Sequence, residues 1–243
     1  MKKVAIIQAR MSSTRLPGKV MLPLGNRTVL GQVIRRVRAC ARVDEVVIAT
    51  STSPDDDLIA SEAVRNRMGC FRGSLADVLG RYHGAASIVG AEVVIRITSD
   101  CPLFDPAVLG DMIDAFEHRS GNIDYLSNTL HRSYPRGLDA EIFTFAALDE
   151  AFRLATLPWE REHVTPYIYR HLEKFRRQNH SGLIDHSAHR WTLDTPEDYQ
   201  LIQAIYKELD RDGALFSTET VLKLLKQRPD LVTINAHIEQ KKE

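Results

Sequence analysis

The stretch IIQARMSSTRLPGK, Ile6 to Lys19, decides how the rest of the chain is read. It begins inside a short apolar run of strand length, Val4 to Ala9, and passes directly into a polar, basic loop whose one glycine is Gly18. Neither the GxxxxGK[ST] nor the GxGxxG phosphate pattern is present. Ser12, Ser13 and Thr14 instead place hydroxyls between the guanidinium forks of Arg10 and Arg15. The Pro17-Gly18 turn can carry Lys19 back toward the same anion. Hydroxyls, backbone N–H groups and fixed cations together suit a triphosphate. The plainer alternative is a solvated loop whose Ser-Ser-Thr caps the next element.

The charge distribution favours the anion reading. The 243-residue chain suits one large α/β domain or a domain with an added lobe. Its 32 basic and 32 acidic side chains cancel, so bulk charge gives no reason to expect nucleic acid or an anionic membrane as partner. Yet ten Lys or Arg residues and no acid precede Asp44, which suggests a local polyanion. Arg35, Arg36, Arg38 and Arg42 read mostly as the wet face of a helix, leaving Arg10, Arg15 and Lys19 for function. Cys40, Cys70 and Cys101 have neither disulfide-framework nor CxxC spacing. A reducing cytoplasm is expected, with no leader and no membrane span.

Strand and helix alternate over the first 120 residues. Val29, Leu30, Val33, Ile34 and Val37 recur at helical spacing. EVVIAT (Glu45 to Thr50) and EVVIRI (Glu92 to Ile97) read as strands, and Leu75 to Val89 and Asp105 to Arg119 as helices. In SPDDD, Ser53 is expected as an N-cap, Pro54 at the first helical position and the three aspartates at the positive end of the dipole, in preference to a metal cluster. The alternation predicts a largely parallel sheet with ligands beyond its carboxyl ends. The ARMSST loop, Ala49-Thr50-Ser51 and Ser99-Asp100 all fall there. Further on, strands are expected at Asp124 to Ser127, Asp139 to Phe145 and Arg190 to Leu193. Helices are expected at Glu162 to Lys174, at Thr195 onward with Thr195 as N-cap, and near Thr218 to Lys226; the EQKKE end reads as a frayed tail.

Two aspartates stand out. Asp100 ends an apolar strand, where a carboxylate can hold a divalent cation over phosphates, although a turn before proline also explains it. Asp194 follows Trp191-Thr192-Leu193 and meets a helix start, so capping competes with metal binding there. Together, in a chain that already carries a polyanion loop, they favour a Mg²⁺ pair. His180, Asp185, His186 and His189 offer zinc donors, but their spacing suits an exposed loop better.

IIQARMSSTRLPGK with MLPLGNRTVLGQVI resembles the opening of the cytidylyltransferases that make CMP-activated sugar acids, with CMP-Kdo synthetase the nearest well-understood pattern. FRGSLADVLGRY, VVIRITSDCPLFDP, YPRGLDAEIF, WEREHVTPYIYR and RWTLDTPEDY extend the likeness over residues 3 to 209, toward the SpsF-type branch of spore-coat polysaccharide biosynthesis. The resemblance implies a nucleotide-diphospho-sugar transferase (GT-A-like) α/β fold, with a mainly parallel sheet, flanking helices and a small β-containing lobe for acceptor and dimerisation. It implies one nucleotidyltransferase domain over 1–243, with a nucleotide half to about 120, an acceptor and dimerisation lobe to about 190, and a returning strand and helices after it.

The implied reaction is CTP plus a sugar acid giving a CMP-sugar and pyrophosphate, in a Mg²⁺-dependent, cytoplasmic homodimer serving surface polysaccharide synthesis. Arg10, Ser12, Ser13, Arg15 and Lys19 fall on the family's phosphate loop, and Asp100 and Asp194 on its metal aspartates. Arg15 and Lys19 join those aspartates in catalysis. Gln8, Ala9, Thr50, Arg72 and Asp77 are expected at the nucleotide; Gln8 replaces a common proline and Ser99 a common glycine. Tyr134, Arg136, Asp139, Glu141, Arg161 and His163 are expected at the acceptor, with Asp139 and Glu141 on one strand face. Pro158 and Trp159 are expected at a subunit contact. The competing readings are a GT-A glycosyltransferase using a nucleotide-sugar donor, a nucleic-acid-binding module and a silent sugar-nucleotide sensor. The first usually carries Asp-x-Asp, where this chain has Thr98-Ser99-Asp100-Cys101.

Overall fold

In the computed structural model, which describes residues 1–119, 121–211 and 213–239, the apolar run after Lys2 becomes the centre of a seven-stranded sheet. Strand β1 (Lys3–Gln8) leads through the loop to a short hairpin, β2 (Pro23–Leu24) and β3 (Arg27–Thr28), and to helix α1 (Val29–Arg38). Then follow β4 (Glu45–Ser51), α2 (Asp57–Arg65), β5 (Gly69–Gly73), α3 (Val78–Ile88), β6 (Val93–Thr98) and α4 (Pro106–Glu117). The second half contributes β7 (Tyr125–Ser127), β8 (Glu141–Thr144), α5 (Phe145–Leu154), α6 (Pro158–His163), α7 (Pro166–Arg170) and β9 (Arg177–Asn179). Helices α8 (Pro196–Leu209), α9 (Thr218–Gln227) and α10 (Pro229–Thr233) follow.

The sheet order is β5-β4-β1-β6-β8-β7-β9. Strands β5, β4, β1 and β6 run parallel, β8 is antiparallel to β6 and β7, and β9 is parallel to β7. From β1 the chain winds one way to β4 and β5, then returns to place β6 on the other side of β1. The β1/β6 boundary is therefore the switch point, where a crevice opens beyond the strand ends. Alternation along β1 sends Ala5 and Ile7 to one core, with Val33 and Leu109, and Val4 and Ile6 to the other, with Tyr82 and Leu148. The Tyr82 hydroxyl lies against the carbonyl oxygens of Ile6 (3.1 Å) and Ile97 (3.2 Å), so it braces the two strands where they part. A third core around Trp191, Leu193 and Ile205 joins the C-terminal helices to the hairpin.

Several local expectations are corrected. The helix expected from Leu75 starts at Val78, because the Asp77 carboxylate accepts the N–H of Gly80 and caps it there. The helix expected over 162–174 breaks at Val164, whose φ of +73° is strained for a β-branched residue, and Pro166 opens a new helix. Residues 190–193 make only a bridge to Arg136, since the Trp191 N–H goes to Arg136 and the Leu193 N–H to Asp100. The hairpin β2–β3, strands β5 and β9 and helices α5 and α10 are not among the expected elements. Apart from Glu239, the EQKKE tail lies outside the described residues. All three cysteines are free thiols. No described helix is long and apolar enough to cross a membrane.

Arg36 is not on a wet face. It is 1% exposed and donates to the Tyr206 hydroxyl (3.1 Å) and to the carbonyls of Phe104 (3.3 Å) and Phe216 (3.0 Å). Its guanidinium also lies 4.1 Å from the Phe216 ring centroid. It thus ties α1 to the loop after β6 and to the C-terminal helices. Arg36→Met leaves those buried carbonyls without a donor and is expected to lower unfolding free energy by about 2–4 kcal/mol in urea titrations.

Candidate active site

The loop after β1 is shaped from outside. The Met11 carbonyl accepts the N–H groups of Ser13 (2.9 Å) and Gly18 (3.0 Å), which folds the loop around it. The Met11 N–H donates to Asp56 (2.7 Å), a carboxylate 2% exposed that also accepts from the Ser51 N–H and hydroxyl. Of the three acids read as dipole partners, Asp56 therefore turns inward and moors the loop to the end of β4. Gly18 adopts φ +68°, the left-handed region that reverses the chain at its αL position.

That reversal aims Lys19 across the switch-point crevice. Its ammonium donates to Asp100 (2.8 Å), Asp194 (2.8 Å) and the Leu193 carbonyl (2.8 Å), which occupies all three of its protons. The other oxygen of Asp194 faces Arg15 at 3.0 Å and Arg190 at 3.1 Å. Burial alone would raise the Asp100 carboxyl and lower the Lys19 ammonium. Their mutual attraction outweighs it, lowering Asp100 to about 2 and raising Lys19. A depressed carboxyl stabilises the fold above its ordinary range, and that contribution is lost as pH falls toward 2. A raised ammonium contributes below its ordinary value near 10.4 and loses that contribution above it. Around neutral pH this lysine–aspartate pair is thus fully ionised.

The crevice is a cavity of about 500 Å³. Gln8, Ala9, Arg10, Ser12, Ser13, Arg15, Lys19, Asp100, Asp194 and His163 all line it. A second cavity of about 880 Å³ is lined by Arg136, Asp139, Glu141 and His163, and Thr98 and His163 belong to both. In the second cavity Glu141 pairs with Arg96 (2.8 Å) and Asp139 with Arg132 (2.5 Å).

The remaining expected residues line neither cavity. Thr50 is fully buried and its hydroxyl has no partner among the described residues. Arg72 holds the turn after β4, donating to the Ser51 and Ser53 carbonyls (2.9 Å each) beside Asp57. Asp77 and Arg161 pair with each other (2.5 Å) and lock α6 onto α3. Tyr134 stacks on His180, with ring centroids 6.0 Å apart. Arg81 and Glu162 line the first cavity without having been expected there as site residues, and Glu162 faces Arg10 at 3.7 Å.

Among the described residues no group of three or more His, Cys, Asp or Glu could hold a metal ion. Asp100 and Asp194 suit a hard divalent cation in a narrower way, because both already converge on one positive charge.

A crevice at the switch point of an α/β sheet, rimmed by cations and two carboxylates, is the kind of site that nucleotide-using transferases need. The profile described as "Cytidylyltransferase" matches residues 4–228, and the chain belongs to that family of nucleotidyltransferases. It is 36% identical over 235 residues to the spore coat polysaccharide biosynthesis protein SpsF of Bacillus subtilis (strain 168), covering 94% of this chain and 95% of that one. It matches a solved cytidylyltransferase of Leptospira borgpetersenii serovar Hardjo-bovis with a TM-score of 0.91, 35% identity and full coverage of both chains. A CMP:2-keto-3-deoxy-manno-octonic acid synthetase solved with CTP matches 86% of this chain and 99% of its own, with a TM-score of 0.66 and 17% identity, which shows the fold alone.

Because Asp56 fixes the loop from a distance, Asp56→Ala is expected to weaken nucleoside triphosphate binding about tenfold. Calorimetric titration, with a melting curve as control for folding, measures it.

Proposed function

We propose that the chain transfers a cytidylyl group from CTP to a hydroxyl of a sugar acid and releases pyrophosphate, in the cytoplasm and with Mg²⁺ as the cation. The observation that carries this reading is the convergence of Lys19, Arg15, Asp100 and Asp194 in a cavity that adjoins a second, acceptor-sized one.

Arg10, Ser12, Ser13 and Arg15 hold the triphosphate, and the acceptor hydroxyl attacks the α-phosphorus in line. The bond to pyrophosphate breaks as the new P–O bond forms, the hydroxyl proton is released to water, and Lys19 and Arg15 stabilise the charge on the leaving group. Asp100 and Asp194 would hold a divalent cation, which when bound would supply charge neutralisation at the reacting phosphate. Gln8 and Ala9 lie where the base can be met, and the buried Gln8 Oε1 has no partner among the described residues. The second cavity is lined by Arg96, Arg132 and Arg136 together with Asp139 and Glu141, and its guanidinium groups match the oxygen pair of a sugar carboxylate. His163 stands at the junction, positioned to contact either substrate. The exposed Leu154, Leu157 and Pro158 beside Trp159 support a homodimer contact.

A pyrophosphate-release screen of the four nucleoside triphosphates against a panel of sugar acids with Mg²⁺ tests the assignment. Turnover is expected with CTP and one class of acid; no preference for CTP with any acceptor defeats it. Asp100→Asn is expected to lower kcat by at least about a hundredfold while CTP binding changes only a few-fold. Paired steady-state and calorimetric measurements resolve the two effects.

A further inference from the structure

The carboxylate of Asp198 is completely buried. In a capping box, an acid at this third helical position needs only to accept the N-cap N–H, and it does accept that of Thr195 (3.1 Å). It does more. It accepts the backbone N–H of Asp194 (3.0 Å) and both Nε (2.9 Å) and Nη2 (2.8 Å) of Arg190. The same Nη2 reaches the Asp194 side chain at 3.1 Å. Asp198 thus fixes the backbone of Asp194 and also one of the cations that face its carboxylate.

The set closes from a distant part of the chain. Asn235, 4% exposed, follows α10 and donates from one amide nitrogen to the Arg190 carbonyl (2.9 Å) and to Asp198 (2.8 Å). It lies beyond the family match, which ends at residue 228.

We infer that Asp198, Arg190 and Asn235 are positioning residues that aim the Asp194 carboxylate at the cation site it shares with Asp100, so that the C-terminal segment after α9 takes part in presenting that site. This rests on the reading of Asp194 as a cation ligand. Partners that hold a metal-ligating carboxylate typically alter metal affinity about tenfold or more when removed. A helix cap with no further role lowers stability without touching metal affinity.

The test uses the full chain with Mn²⁺ and a non-hydrolysable α,β-methylene analogue of CTP, with bound Mn²⁺ read by electron paramagnetic resonance. Asn235→Ala is expected to weaken Mn²⁺ binding about tenfold, and Asp198→Asn by more, at temperatures well below each variant's Tm. The KM for Mg²⁺ should rise while the KM for CTP stays within about twofold. Mn²⁺ affinity equal to wild type in folded Asn235→Ala overturns the inference, and that variant decides if Asp198→Asn does not fold. If Asp194→Asn itself retains wild-type Mn²⁺ affinity, the reading of Asp194 fails first and the inference falls with it.

Discussion

One ammonium holds three distant parts of the chain at a single point. Lys19 ends the loop after β1, Asp100 lies in the turn two residues past β6, and Leu193 and Asp194 lead into α8; all meet at Nζ at 2.8 Å. The ammonium has three protons, and each has a separate acceptor, so the contact fixes direction as well as distance. A second anchor, Asp56 on the Met11 N–H, fixes the start of the same loop. With both ends held from outside, the loop needs no run of glycines to bring its backbone to an anion. Gly18 alone takes the conformation that the reversal requires.

These anchors also set the electrostatics. Each loop cation rests on a carboxylate: Arg10 on Glu162, Arg15 on Asp194, and Lys19 on Asp100 and Asp194. A bound triphosphate would exchange phosphate oxygens for carboxylates at cations that are already positioned. The Coulomb gain is then a difference between two pairings rather than the full attraction to a bare charge, which limits ground-state tightness.

The parts legible in the sequence are those with local signatures. The apolar runs of β1, β4 and β6 marked the sheet, and the polar stretch after Ala9 marked the loop. Asp100 was visible because a strand tip is a chemically distinctive place. Asp56 was hidden because an acid after Ser-Pro looks like a helix cap, and its real partner is the backbone of a residue 45 positions away. Arg36 was hidden because an arginine at helical spacing looks solvated, and nothing local shows that Phe104, Tyr206 and Phe216 close over it. Strand β5, GCFRG, has neither apolar alternation nor a continuous apolar run, so only its pairing with β4 defines it. Asp77 is expected at the nucleotide and Arg161 at the acceptor from the motifs that hold them, yet they pair with each other and fasten one helix to the next.

The topology explains why two cavities adjoin. Strand β6 is parallel to β1 on one edge and antiparallel to β8 on the other. The first edge gives the switch point, with its loop and Asp100. The second brings Arg96 into register with Glu141, and their ion pair lines the other cavity. Arg96 and Asp100 lie two positions to either side of Thr98, the β6 residue that lines both cavities. The end of β6 and the turn after it thus place a carboxylate in the lining of the first cavity and a paired guanidinium in that of the second. The distance between the two chemistries is set by a few residues of rigid backbone, and this is the kind of fixed spacing that an in-line transfer between two substrates demands.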